Sequence, residues 1–480
     1  KDTIPGMSVD RAYAELLKGK VGVPVIVGIV DSGVDIEHED LKSVLWTNAK
    51  EIPGNGIDDD KNGYIDDVHG WNFLGDITKE NLEYERIIKD KNLADDATYK
   101  AAKSLNDKKV AEAVMGKSRL EEMLVAMKDA DAVLVKHFGK PVYTSDDLKA
   151  IASKDAAVEK SKMVMQRMLS FGMPIADLKE AIDKDLNDSK ALTSGENLKK
   201  DYRKVVGDNP NDITDTKYGN NNVMGPDKKE ILHGTHVAGI VAQSRNNGLG
   251  GDGIANNVQI LTVRAVPDGD EYDKDIALAI RYAVDNGAKV INGSFGKEFS
   301  PHKQWVYDAI KYAEQKDVLF VHAAGNDAKD IDYADNYPTD ADDKKTEYAD
   351  NVITIGALNY EYGDRIVARF SNIGKINVDV FAPGVQIYAT TPNNSYQFLQ
   401  GTSMAAPNVA GVAALIRSYY PKLSAKEVKH ILMDSGVAIT TNVIVGGKAS
   451  DVRPFTNLSK SGKIVNAYNA LLMAEKMSKK

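Results

Sequence analysis

Apolar runs that each end in small or polar residues constrain this chain more than any other feature. VPVIVGIV, from Val23 to Val30, is rich in β-branched residues and stops at Asp31-Ser32-Gly33. A continuous apolar run of this length suits a strand buried on both faces of a parallel sheet. KVINGSFG (289–296), DVLFVHAAGND (317–327), NVITIGAL (351–358) and VDVFAPG (378–384) repeat the design. Helical patterns lie between them, such as DIALAIRYAVDNG from Asp275, with Gly287 placed to cap the C-terminus. Strands alternating with helices predict an α/β fold with a doubly wound, mostly parallel sheet. Ligands in such sheets bind at the carboxyl ends of the strands.

One region breaks the alternation. From about Ile77 to Glu230 the chain becomes rich in Lys, Glu, Asp and Ala, with few glycines and many helix formers. Val110, Val114, Leu120, Met123, Leu124, Met127, Ala130, Leu134 and Phe138 follow three- and four-residue spacing. Leu148, Ile151, Ala152, Met165, Met168 and Leu169 suggest a second helix, with Thr144 and Asp147 as a capping box. The pattern predicts a mostly helical insertion over 77–230 that divides an α/β domain formed by 1–76 and 231–480. A chain of 480 residues exceeds what one core usually supports, so such a division is expected. The methionine stripe is read as core rather than as a ligand surface.

The formal charge of −9 argues against nucleic acid or an anionic membrane as the main partner. No apolar run approaches the length of about 18 residues that a membrane-spanning helix needs. The absence of cysteine excludes disulfides, thiolate catalysis and thiolate metal sites. The chain begins at Lys1 without a signal peptide or a recognisable inhibitory propeptide, so a processed N-terminus is expected.

Three segments at strand-to-helix transitions carry chemistry: DSG at Asp31, HGTHVAG at His233 and GTSMAAP around Ser403. Read singly, Asp31 ends a strand, His233 is a structural histidine, and Thr402 or Ser403 caps a helix. Read together, their order Asp, His, Ser is one of the few known for a serine triad. The three motifs resemble those of the subtilisin-like serine proteases, the subtilases of peptidase family S8. The segments GMSVDRAY and GIDDDKNGYIDD look closest to Bacteroidetes-type members. The resemblance covers 1–76 and 231–480 as a catalytic domain and is silent on the insertion. It implies Ser403 as nucleophile, His233 as the base that takes its proton, and Asp31 as the group fixing the imidazole. His236, one turn into the helix, is expected to be structural. Ala405, Ala406 and Gly411 are expected to let the helix pack closely against the sheet.

The resemblance extends to AAGND, placing Asn326 as an oxyanion donor beside the Ser403 backbone N–H. It implies that Ser294, Phe295 and Gly296 pair with the substrate backbone as an added strand. Gly293 departs from the bulkier apolar residue common there, and Asn408 stands where a histidine is frequent. NYPTD resembles the wall of the primary side-chain pocket, where Asn336 would make the pocket more polar or shallower.

DDDKNGYIDD, from Asp58 to Asp67, has the spacing of a calcium loop. Asp58, Asp60 and Asn62 would supply side-chain oxygens and Tyr64 a backbone carbonyl, while Asp66 and Asp67 complete the charge. His69 occupies the place of the usual bidentate glutamate. The expected cofactor is structural Ca2+, preferred to Mg2+ because the oxygen set is large and protein-derived; the alternative is a solvated acidic loop. The function expected is a bacterial, exported endopeptidase (periplasmic, cell-surface or secreted) acting on peptides or proteins. The insertion would serve as a lid or a partner-docking surface. The rival readings are a binding or adhesion protein on a subtilase scaffold, and an esterase or transpeptidase using the same site.

Overall fold

The computed structural model describes residues 5–169 and 175–479. It divides into two compact units, one formed by Lys1–Glu83 with Asp201–Lys480 and the other by Tyr84–Lys200.

The first unit is built on a nine-stranded sheet. Its strands are β1 (Val25–Asp31), β2 (Gly70–Asn72), β3 (Val258–Arg264), β4 (Val290–Gly293), β5 (Leu319–Ala323), β6 (Val352–Leu358) and β7 (Val380–Pro383). Two short strands, Val437–Ala438 and Lys463–Ile464, extend the β7 edge. Across the sheet the order from that edge is β7-β6-β5-β4-β1-β3-β2, all parallel. The strand order reverses around β1, which pairs with β4 on one side and β3 on the other. A crevice at the carboxyl end of such a strand is where doubly wound sheets bind ligands. Asp31 is the last residue of β1.

Alternation along the strands serves two cores. Val27 and Ile29 face one, shared with helices α1 (Leu232–Ala242) and α4 (Thr402–Tyr419). Val30, Leu261 and Ile291 face the other, shared with α2 (Asp273–Asp285) and α3 (Lys303–Gln315). Gly287, with φ of 85°, follows α2 in the left-handed conformation expected there. A hairpin of β8 (Ile387–Thr391) and β9 (Ser395–Leu399) leads into α4.

The second unit is helical. Asp96–Phe138 forms one helix of 43 residues, capped by the Asp95 carboxylate accepting from Thr98 N at 2.8 Å. The capping box of Thr144 and Asp147 is present, but it opens only the short helix Ser145–Ala150. The second helix of the sequence reading is therefore several helices, continuing with Ala156–Leu169 and Ile175–Ser194. Met127, Leu134, Leu148, Met165 and Met168 are buried together in this unit's core. The stripe meets this core from Leu120 onward, Leu120 and Met123 partly buried against it, while Val114 lies 57 % exposed.

The bounds of this unit lie inside those expected, and the expected insertion also takes in 170–174, outside the described residues. Residues 201–230 belong to the first unit because ion pairs fasten them to α2. Arg203 makes a bidentate pair with Asp275 (2.6 and 2.8 Å) and another with Asp208 (2.6 and 2.8 Å). Tyr218 Oη donates to Asp275 at 2.6 Å. Charged residues read as part of a mostly helical insertion form here a buried network, which periodicity alone does not reveal. Residues 77–83 are held similarly, Glu80 N donating to the Asp268 carbonyl at 2.9 Å.

Candidate active site

The end of β1 and the start of α1 meet where two glycines allow it. A Cβ at Gly234 would stand 2.2 Å from the Gly33 carbonyl oxygen, so only glycine lets the helix come this near the Asp31-Ser32-Gly33 turn. The approach brings His233 Nδ1 within 2.7 Å of Asp31 Oδ1, which also accepts from Ser32 N at 2.7 Å. Asp31 is buried, whereas the His233 side chain is 38 % exposed, which leaves its Nε2 edge toward solvent. Burial works against the charged imidazolium, but the Asp31 charge and hydrogen bond outweigh it and raise the His233 pKa above its ordinary value.

His236, one turn on, is different. Its Nε2 meets the Gln397 carbonyl at 3.1 Å, and burial pushes its pKa down to about 4. It is a neutral structural group tying α1 to β9.

Ser403 lies in the first turn of α4, and the helix N-cap is Gly401, not Thr402 or Ser403. The capping role is therefore not the one the hydroxyl plays. Ser403 Oγ donates to the Ser294 carbonyl at 3.3 Å, and Ser294 Oγ donates back to the Ser403 carbonyl at 2.9 Å. Among the described residues no hydrogen bond joins Ser403 to His233. The structure forms the Asp31–His233 pair and leaves Ser403 on the Ser294 side. Ala405 and Ala406 are buried in the core as expected, but Gly411 accommodates Ile254, where a Cβ would meet Ile254 Cβ at 2.5 Å.

Asn326 follows β5 and is oriented by the residue before Ser403. Its Oδ1 accepts from Thr402 N (2.8 Å) and Thr402 Oγ1 (3.0 Å), which leaves the Nδ2 end free to donate elsewhere. Gly401 adopts φ of 152°, and a Cβ placed on it would lie 3.6 Å from both Asn326 Nδ2 and Ser403 N. Two N–H groups thus flank one small space beside Ser403.

Asn336 sits between two glycines. A Cβ at Gly296 would be 3.0 Å from its Oδ1, and one at Gly325 would be 3.3 Å away. Phe295 is buried, and its carbonyl is engaged by His322 Nε2 at 2.8 Å, a residue that sequence reading passed over. Gly293 lacks a side chain because the Phe320 ring fills its space; a Cβ there would stand 2.7 Å from Phe320 Cζ. Asn408 Nδ2 donates to the Pro383 and Met404 carbonyls, both at 3.0 Å, a structural role.

The acidic loop is more differentiated than its spacing suggests. Asp66 is spent on a turn, accepting from Gly54 N (2.8 Å), Asn55 N (3.2 Å) and Gly56 N (2.9 Å). Asp67 is fully buried and accepts from Asn48 Nδ2 (2.9 Å), Asn62 Nδ2 (3.0 Å) and Tyr282 Oη (2.6 Å). Asn62 Oδ1 accepts from Tyr64 N at 2.8 Å, and the Tyr64 ring packs on Trp71 and Tyr282. The carboxylates that converge are Asp58, Asp60 and Glu51, with one oxygen of each within 4.8 Å of the others. Glu51 stands seven residues before the loop, where no fixed-spacing pattern looks for it. Lys50 approaches Asp60 at 3.8 Å but is 78 % exposed, a weak counter-charge for three carboxylates. Each of the three also accepts backbone amides, Glu51 from Asp60 N and Asp66 N (both 3.1 Å), Asp58 from Asn62 N (3.0 Å) and Gly63 N (2.8 Å), and Asp60 from Asn62 N (3.1 Å); hard carboxylate oxygens are the donor type a Ca2+-like cation takes.

The family model described as "Subtilase family" matches residues 22–462. Over 187 residues the chain is 45% identical to a thermophilic serine proteinase of Bacillus sp. (strain AK1), covering 39% of this chain and 42% of that one. It is 36% identical over 220 residues to subtilisin DY of Bacillus licheniformis, covering 45% and 73%. A cell wall-associated protease of Bacillus subtilis is 34% identical over 230 residues, covering 48% and 23%. The match thus spans less than half the length of the first of these relatives.

Proposed function

Since the chain belongs to the subtilase family, we propose that it is a serine endopeptidase that works through an acyl-enzyme. The observation that carries this reading is the Asp31–His233 bond at 2.7 Å, set at the carboxyl end of β1, where the strand order reverses. In the reaction Ser403 Oγ turns from the Ser294 carbonyl to donate to His233 Nε2, attacks the substrate carbonyl carbon and yields its proton to the imidazole. Catalytic hydrogen bonds of this kind tighten when substrate binds. Asp31 holds the ring by Nδ1 and stabilises the imidazolium that forms. Asn326 Nδ2 and Ser403 N receive the negative oxygen of the tetrahedral intermediate. His233 then protonates the leaving amine, and a water repeats the cycle on the ester. Ser294 and Gly296 align the substrate backbone, and Asn336 closes the floor of the adjoining side-chain pocket.

Glu51, Asp58 and Asp60 would hold Ca2+, which supplies charge neutralisation to the 51–67 loop and takes no part in the chemistry. The protease acts outside the cytoplasm of a bacterium, and the helical unit governs access or docks a partner. No helix among the described residues is long and apolar enough to cross a membrane.

Labelling with a fluorophosphonate tests the reading: stoichiometric modification at Ser403, together with hydrolysis of a peptide anilide, is expected. A folded protein that takes up no label and cleaves no peptide would refute it.

A further inference from the structure

A cavity of about 490 Å3 lies in the first unit, lined among others by Arg365, Arg369, Glu361, Phe370, Gln400 and Gly447. Its position relative to Asn326 can be traced through the loop that carries that residue. Gly325, just before Asn326, packs on Asn372 and Asn336, a Cβ there standing 2.5 Å from Asn372 Nδ2 and 3.3 Å from Asn336 Oδ1, and Asn336 in turn borders Gly296. Ala328, two residues after Asn326, faces the other way, donating its N–H to the Phe370 carbonyl at 2.8 Å and standing beside Gly446. Gln400 directly precedes the Gly401-Thr402-Ser403 turn. Asn336 thus borders the loop just before Asn326, and the cavity, through Phe370, borders it just after. If the 294–296 side holds the acyl half of a substrate, this cavity lies on the leaving-group half.

Its charge differs from that of the molecule. The chain carries a formal −9, yet two guanidiniums line this cavity against one carboxylate. Both arginines are exposed, and among the described residues neither is hydrogen-bonded or ion-paired to a carboxylate. Nearby Arg453 shows the alternative, being paired with Asp451 at 2.9 Å and Asp330 at 3.0 Å. Unpaired guanidiniums beside a cavity within the size range of ligand pockets suit bidentate capture of a carboxylate.

Resting on the protease reading above, we propose that Arg365 and Arg369 select substrates with an acidic side chain shortly after the scissile bond. The cavity would take a glutamate or aspartate from the first or second leaving-group residue. Capture there favours acidic over neutral and basic sequences without touching the reacting atoms.

The test is a peptide library cut by the full chain, with sites read by mass spectrometry, followed by matched peptides differing only at those two positions. For the wild type, kcat/KM about tenfold higher for Glu than for Ala is expected, with Lys lower still and the gap narrowing as salt is raised. R365E/R369E should reverse the order, and R365K/R369K should keep its direction. Fluorophosphonate labelling of each variant checks that it is folded and competent. Equal rates for Glu, Ala and Lys peptides, or a preference unchanged in a labelled R365E/R369E protein, would overturn the proposal. Loss of both labelling and all cleavage in the wild type would instead overturn the protease reading beneath it.

Discussion

The two units bury their apolar residues in different ways. In the α/β unit the helices near the cleft are made of small residues, Ala405, Ala406, Ala410, Ala413 and Ala414 in α4 and Gly234, Ala238 and Gly239 in α1. Backbones approach one another closely, as at Gly234 and Gly33. In the helical unit Met127, Met165, Met168 and Leu134 fill a core with long side chains, and Val114, Met115 and Val125 stay exposed. Small residues fix backbone positions to within tenths of an ångström, whereas flexible thioethers tolerate rearrangement. Polar groups that must meet at hydrogen-bond distance are accordingly found in the first kind of region.

The comparison can be broken most sharply at Ser403. S403A should lower kcat by about 10⁴-fold or more with an unchanged melting curve, measured on a peptide anilide; retained turnover would place the chemistry elsewhere. N326A should cost about 10² to 10³ in kcat, near 3 kcal/mol, with little change in KM. In the helical unit the expected outcome is inverted. M165A opens a cavity worth about 3 kcal/mol in that unit's stability, read by denaturant unfolding, while short-peptide hydrolysis stays as it was. A parallel loss of activity would show the two units to be coupled.

Calcium should stabilise only the α/β unit. At a hundredfold excess over Kd a bound ion adds about 2.7 kcal/mol, so chelation should lower that unit's melting temperature. E51Q/D58N should abolish the response. The smallest effect is on pH. Only neutral His233 can take the serine proton, and its pKa is raised above 6.5 by Asp31. The kcat/KM profile should therefore fall about tenfold per unit below a midpoint that lies above 6.5. A midpoint below that value would mean that Asp31 does not act on the imidazole as the geometry implies.

Much of this was legible before any coordinates. Buried parallel strands advertise themselves as continuous apolar runs, and Asp31, His233 and Ser403 lie in motifs whose small neighbours are required by packing. Other features escaped because they depend on partners distant in the chain. Arg203 and Tyr218 read as part of a polar helical stretch until Asp275 is seen facing them. Glu51 joins Asp58 and Asp60 through a loop closure, while Asp66 and Asp67, at more promising spacing, turn instead to the Gly54–Gly56 amides and to Asn48, Asn62 and Tyr282. Spacing reports which residues are near in sequence; it does not report which donors a carboxylate has already found. Arg365 and Arg369 belong to no motif, and only the fold sets Phe370 and Gln400 with them around a cavity.

Thr402 has a role beyond preceding the nucleophile. A carboxamide is nearly symmetric in shape but opposite in polarity at its two ends, and turning it over would set a lone pair against an incoming negative charge. By claiming the oxygen of Asn326 with both its amide and its hydroxyl, Thr402 decides which end would face the oxyanion in the proposed reaction. Valine in its place would keep the bulk and lose one of those two claims. The side chain would then spend part of its time reversed, and the enzyme would behave as a mixture of competent and blocked molecules.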